Sequence, residues 1–154
     1  MSEPTASPSA PRPEAAPTVE QEMAQVFSAG PGALLTRMGI EVTEATPERV
    51  AASMPVEGNT QPYGLLHGGA SVVLAETVGS IAAALHAGPD RAAVGVDINA
   101  THHRAVRSGS VHAVATPVHR GRSSATYEIV ITDDAGKRVC SSRLTCSLLT
   151  APRG

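Results

Sequence analysis

Residues 68 to 88 read GGASVVLAETVGSIAAALHAG, apolar or small at nearly every position, with Glu76 as the only charge. A helix on a protein surface shows one polar stripe; a run that is apolar on nearly every face predicts a helix enclosed by other elements. The spacing predicts that helix over about 68 to 86, closed by Gly88-Pro89. Downstream, AAVGVDINATHHRAV, SGSVHAVATPVHRG, SSATYEIVITDDAG and KRVCSSRLTCSLLT are four runs of period-two patterning separated by Gly- or Asp-rich breaks. DDAGK is a hairpin turn in which Gly136 takes positive φ. One long apolar helix followed by consecutive antiparallel strands predicts an α+β fold in which the sheet packs against that helix.

Upstream, IEVTEAT and ERVAASMPV alternate well enough for two strands joined around Thr46-Pro47. VEQEMAQVFSAG spaces Val19, Met23, Val26 and Phe27 on one helical face, and GPGALLTRMG reads as a short turn of helix after a Gly-Pro-Gly break. Residues 1 to 18, rich in Pro, Ala, Ser and Glu, bury too little to offset the entropy of ordering and are expected as a disordered tail before one domain over 19 to 150. A chain of 154 residues suits a single core.

The formal charge of -2 offers no support for nucleic-acid or membrane-surface binding. Its distribution is uneven: 8 of the 12 basic side chains, but only 3 of the 14 acidic ones, follow residue 100. That local excess suits an anionic ligand. Cys140 and Cys146, placed on one strand, lie roughly 20 Å apart, too far to bridge, which fits a reducing cytoplasm. No signal-peptide pattern opens the sequence and no uninterrupted apolar span is expected to cross a membrane, so a soluble cytoplasmic protein is expected.

An ionised carboxylate buried without partners is costly, so Glu76 must be paired, protonated or open to a cleft. The bland alternative is a single solvent-facing stripe. Ser80 lies at i+4 on the same face, placed to help hold a water, while Val72 and Val73 keep the surroundings dry. At the helix start, His67-Gly68-Gly69 offers free N–H groups at the positive end of the dipole, which stabilises developing negative charge. A carbonyl oxygen directed at the Gly68 N–H would leave Glu76 to attack or to activate water. His67 as a simple N-cap, and the Gly pair as close packing, are the structural alternatives.

The run Gln61-Pro-Tyr-Gly-Leu-Leu-His67-Gly68-Gly69-Ala-Ser-Val-Val-Leu-Ala-Glu76 closely resembles the hotdog-fold acyl-CoA thioesterases of the PaaI-like superfamily. Within them it is similar to the Arthrobacter-type 4-hydroxybenzoyl-CoA and 1,4-dihydroxy-2-naphthoyl-CoA thioesterases, and the likeness continues through GVDINATHHR, PVHRGRSS and CSSRLT, roughly 30 to 149. A sister branch resembling phenylacetate-pathway thioesterases uses Asp on this helix, and the Glu here argues against that branch. The resemblance implies a sheet wrapped around one helix, a homodimer with active sites at the subunit junction, and a dimer-of-dimers tetramer. It further implies Glu76 as nucleophile or general base, Gly68 N–H polarising the thioester carbonyl, Gln61 and His67 orienting it, and Ser80 holding water. The substrate implied is an aromatic or medium-chain acyl-CoA, with CoA as part of the substrate rather than a separate cofactor.

For the CoA side the resemblance implies Gly95, beside the pantetheine arm, with His102, His103, Arg104 and Ala105. Read from the residues alone, His102 and His103 point to opposite faces of a strand, Arg104 shares the face of His102, and Gly95 marks a bulge as readily as a contact. His119, Arg120, Gly121, Arg122, Ser123 and Ser124 place two Arg and two Ser around a Gly at a strand break, a cradle for phosphates or a solvated basic turn. The six histidines lack metal-site spacing, so no metal is expected. A non-catalytic acyl-CoA binder or sensor is the alternative function; a hydratase finds no His-Asp or His-Glu pairing in its favour.

Overall fold

The computed structural model describes residues 15–30 and 32–150. Most of the expected tail, residues 1–14, therefore lies outside the described residues. Helix α1 (Val19–Val26) starts at a capping box in which Thr18 and Gln21 satisfy each other's backbone N–H groups. Helix α2 (Ala33–Met38) ends at Gly39, whose φ of +67 is the left-handed cap that glycine adopts most readily. Strands β1 (Glu41–Ala45) and β2 (Val50–Pro55) follow, then α3 (Gly68–Ala87), β3 (Arg91–His102), β4 (Ser110–Arg120), β5 (Ser124–Asp133) and β6 (Arg138–Thr150).

All six strands form one antiparallel sheet in the order β1-β2-β4-β5-β6-β3, and α3 contacts every one of them. Alternate residues of β2, β4, β5 and β6 point inward, including Met54, Val111, Ile129, Ile131 and Leu144, and close on Leu74, Val78 and Ala82 of the helix. Tyr127 is fully buried among them, its hydroxyl within 3.1 Å of the Ala82 carbonyl and 3.0 Å of the Pro47 carbonyl; burial pushes the phenol up to about 12. An 18-residue window of α3 has a mean hydropathy of 1.5, long and apolar enough by composition alone to cross a membrane, but most of that window is buried inside this protein, as in the core helix of a folded domain.

The strand predicted through residue 106 ends at His102, because the next two N–H groups, of His103 and Arg104, both turn onto the Val139 carbonyl. Strand β3 lies at an edge of the sheet and exposes Val94 (48%) and Val96 (67%). Cys140 and Cys146 are free and buried on β6.

Candidate active site

Two turns into α3, Glu76 points outward, with Ser80 one turn beyond on the same face. Both border an open cavity of about 380 Å³ whose further walls are Val73, Thr77 and Ile81 of α3 and Met23, Phe27, Leu34 and Leu35 of the N-terminal segment. Gly95 of β3 faces the carboxylate: a Cβ built on it would stand 2.9 Å from Glu76 Oε1. The β3–β6 ladder shifts register between Gly95 and Asp97, so this glycine marks both a bulge and a close approach. Its cross-strand partner is Cys146. Burial pushes that thiol up, the Ser80 hydroxyl opposes the shift, and the Glu76 charge adds to it.

At the mouth of α3, His67 is the N-cap: its Nδ1 accepts the Gly69 N–H at 2.8 Å, and its carbonyl accepts the N–H groups of Ala70 and Ser71. Among the described residues the Gly68 N–H has no acceptor. The exposed His102 ring lies over this glycine, with Nε2 2.9 Å from a Cβ built there. Gln61, Gly68, His102, His103, Arg104 and Ala105 all line one depression of about 350 Å³. Because β3 stops at His102, strand alternation no longer separates the two histidines, and both border this depression, a correction to the opposite-face expectation. His103 Nε2 is 2.9 Å from Ser141 Oγ, and the Gln61 side-chain oxygen accepts the Tyr63 N–H.

The third cluster, His119 to Ser124, runs from the last two residues of β4 through the tight connection at 121–123 to the first residue of β5. It is tied down from several sides: Gly121 N–H donates to the Ser124 carbonyl at 2.9 Å, Leu148 N–H to the Ser123 carbonyl at 2.8 Å, and the Arg91 guanidinium to the Arg122 carbonyl. A ring nitrogen of His86 is 3.0 Å from the Gly121 carbonyl. The Arg120 guanidinium pairs with Glu48 and holds that carboxyl below the usual range, whereas the Arg122 guanidinium has no partner among the described residues.

The expected site residues therefore fall on three surfaces of one chain. Eight residues separate Gly68 from Glu76, a rise of about 12 Å along the helix, more than one carbonyl group spans. From the sequence, Phe27, Tyr63, Ala82 and Ala83 are candidates to shape the acyl pocket; of the apolar wall formed by α1 and α2 that reading holds Phe27 and misses Met23, Leu34 and Leu35. Tyr63 is 84% exposed and Ala82 and Ala83 are core residues, so none of the three lines that cavity, whereas Phe27 does. Among the described residues no three His, Cys, Asp or Glu side chains gather as a metal-binding group.

An antiparallel sheet wrapped around one long central helix, with an outward carboxylate on the helix and a glycine pair at its mouth, defines the hotdog-fold class. A family model described as the thioesterase superfamily matches residues 63–140. The proofreading thioesterase EntH of Cronobacter turicensis is 48% identical over 119 residues, 77% of this chain and 87% of that protein. Among solved structures, thioesterase HI1161 of Haemophilus influenzae is similar with a TM-score of 0.79 and 39% identity, covering 90% of this chain and 95% of that one. Thioesterase PA1618 of Pseudomonas aeruginosa, crystallised with a Gln-to-Ala change, gives 0.77 and 39%, covering 88% and 96%. The chain belongs to the thioesterase superfamily and is a thioester hydrolase.

Proposed function

We propose that the thioester is an acyl-CoA carrying an aromatic or medium-chain acyl group, hydrolysed to free CoA and the carboxylic acid, as in the 4-hydroxybenzoyl-CoA and 1,4-dihydroxy-2-naphthoyl-CoA branch that the sequence resembles. The observation that carries this reading is the Glu76 carboxylate at an apolar cavity, against a glycine that leaves it room, on the helix whose first N–H is free. Gly68 N–H donates to the carbonyl oxygen, Gln61 and His67 Nε2 orient the thioester, and the carbonyl carbon becomes the electrophile. Glu76 then attacks it, expelling CoA thiolate and leaving an anhydride that water cleaves, or takes a proton from a water held with Ser80 that attacks instead. A thiolate leaves without help from an acid, which agrees with a sequence that carries no Ser-His-Asp or Cys-His signature.

The 12 Å separation favours a site shared between two copies, with the Gly68 mouth of one chain supplying the carbonyl site for Glu76 of the other. Edge strand β3, with Val94 and Val96 exposed beside the bulge at Gly95, is the surface for that homodimer, which pairs again into a tetramer. His102, His103, Arg104 and Ala105, together with the turn from His119 to Ser124, contact CoA, its phosphates meeting Arg122 and the serines. Staphylococcus aureus SAV0944, 32% identical, has been crystallised with a Glu-to-Ala change and with a Gln-to-Ala change, at the same sequence separation as Gln61 and Glu76. The domain spans 19 to 150 behind the tail, in the cytoplasm, with no cofactor beyond the CoA of the substrate.

Thiol release from a panel of acyl-CoAs tests this. Glu76→Gln should cut turnover about 10²- to 10⁴-fold. Full activity in that variant ends the catalytic assignment, and binding without turnover in the unmodified protein means a sensor instead. Oxygen-18 from water entering the Glu76 carboxylate in a single turnover marks the anhydride route.

A further inference from the structure

The cavity at Glu76 has a neighbour. A second, open chamber of about 460 Å³ lies between α1, α2 and β1, lined mostly by apolar residues that include Val19, Ile40 and Val42, with Glu20, Ser28 and Thr36 as its polar members. Both chambers share Met23, Phe27 and Leu35, so these three side chains stand as the wall between them. Nothing in the hydrolysis described above uses the second space.

The wall is built from movable parts. Neither α1 nor α2 contains a buried residue, and the chain between them passes through Gly30 and Gly32 at φ of +82° and +89°, which glycine tolerates and side-chain-bearing residues resist. Met23 has an unbranched, adaptable thioether. By contrast, the wall on the far side of the Glu76 cavity is α3 itself, fixed in the sheet.

We propose that Met23, Phe27 and Leu35 form the partition that sets acyl length: closed, it ends the acyl site at compact groups of benzoyl or octanoyl size; opened, it admits the end of a longer alkyl chain into the chamber beside β1. The occupant is the distal end of the substrate's own acyl chain, since the chamber continues from the cavity that holds the reacting carboxylate. The inference rests on Glu76 as that carboxylate. At about 380 Å³ the first cavity lies at the small end of ligand sites, and the second roughly doubles it.

The test is kcat/KM for benzoyl-, octanoyl- and tetradecanoyl-CoA in the full chain. The unmodified protein should favour the two compact substrates. Phe27→Ala and Leu35→Ala should each raise the tetradecanoyl-to-benzoyl ratio at least tenfold, mainly through KM, because each newly buried methylene adds about three- to fourfold. Adding Val42→Trp, which fills the second chamber, should reverse that gain; general loosening of the fold would not be reversed. Should Phe27→Ala melt at the assay temperature, Phe27→Leu should still shift the ratio by at least threefold. An unchanged ratio in folded variants, a gain that Val42→Trp leaves intact, or an unmodified protein that already handles tetradecanoyl-CoA as well as benzoyl-CoA overturns the partition. Glu76→Gln separates the two ideas: if it is inactive and the ratios do not move, only the partition fails; if it is fully active, the catalytic assignment fails.

Discussion

At Gly95 the absence of a side chain is what lets a charge be placed. A Cβ there would stand 2.9 Å from Glu76 Oε1, closer than real Cβ contacts, and the atom obliged to move is the tip of a flexible side chain rather than backbone. Gly95→Ala should therefore fold normally, with a melting temperature close to that of the parent, yet lose at least tenfold in kcat because a displaced carboxylate attacks at the wrong angle. Circular dichroism melts and thiol-release kinetics read the two effects separately; a large drop in melting temperature with unchanged kcat would contradict the assignment. Glu76 was legible in the sequence because a lone charge in an apolar helix has few tolerable fates. Gly95 was not legible from the residues alone, since a glycine in a strand reads equally as a bulge, and here it is both. His67 shows the converse: its imidazole meets the local need for a cap, a role the sequence offered beside the one implied by resemblance.

The central helix illustrates how an element can be obvious while its fit is hidden. Its predicted bounds, about 68 to 86, agree with Gly68–Ala87 because an apolar run closed by Gly-Pro is a local signal. The pairing of β3 with β6 is not local, joining residues 91 and 150, and no pattern in either strand announces it. Gly79 belongs to this hidden layer. A Cβ there would sit 2.7 Å from Leu144 Cδ2 and 3.3 Å from Leu144 Cβ, inside the packed contact between α3 and β6. Mid-helix alanine ordinarily gains about 1 kcal/mol over glycine. Overpacking costs about 1–3 kcal/mol, so Gly79→Ala should be destabilising overall. Urea unfolding measures the sign; a more stable variant would mean that β6 yields more easily than its buried contacts imply.

For the whole molecule the central question is which parts of the site one copy can complete alone. Proline is tolerated at the first position of a helix, and His67, at φ -70° and ψ 130°, already has the backbone that must precede it. Gly68→Pro thus deletes the free N–H at the helix mouth, at the cost of swinging the exposed His102 ring aside. If sites are shared, Gly68→Pro and Glu76→Gln homodimers are each inactive, but in a reassociated equimolar mixture half the dimers carry one intact site, restoring about a quarter of parental activity by symmetry. No recovery, with mixed dimers present by mass spectrometry, would place both groups within one chain. The apolar wall of α1 and α2 was the least legible part of the site, because a stripe such as Met23 and Phe27 looks the same whether it seals a core or roofs a chamber. The burial of α3 carries a last consequence, for synthesis. A ribosome completes this greasy rod at Ala87 while β3 to β6, four of the six strands that sheathe it, are still untranslated. The nascent protein must therefore pass through an interval of unshielded hydrophobic exposure, when chaperone shelter rather than final stability decides its yield.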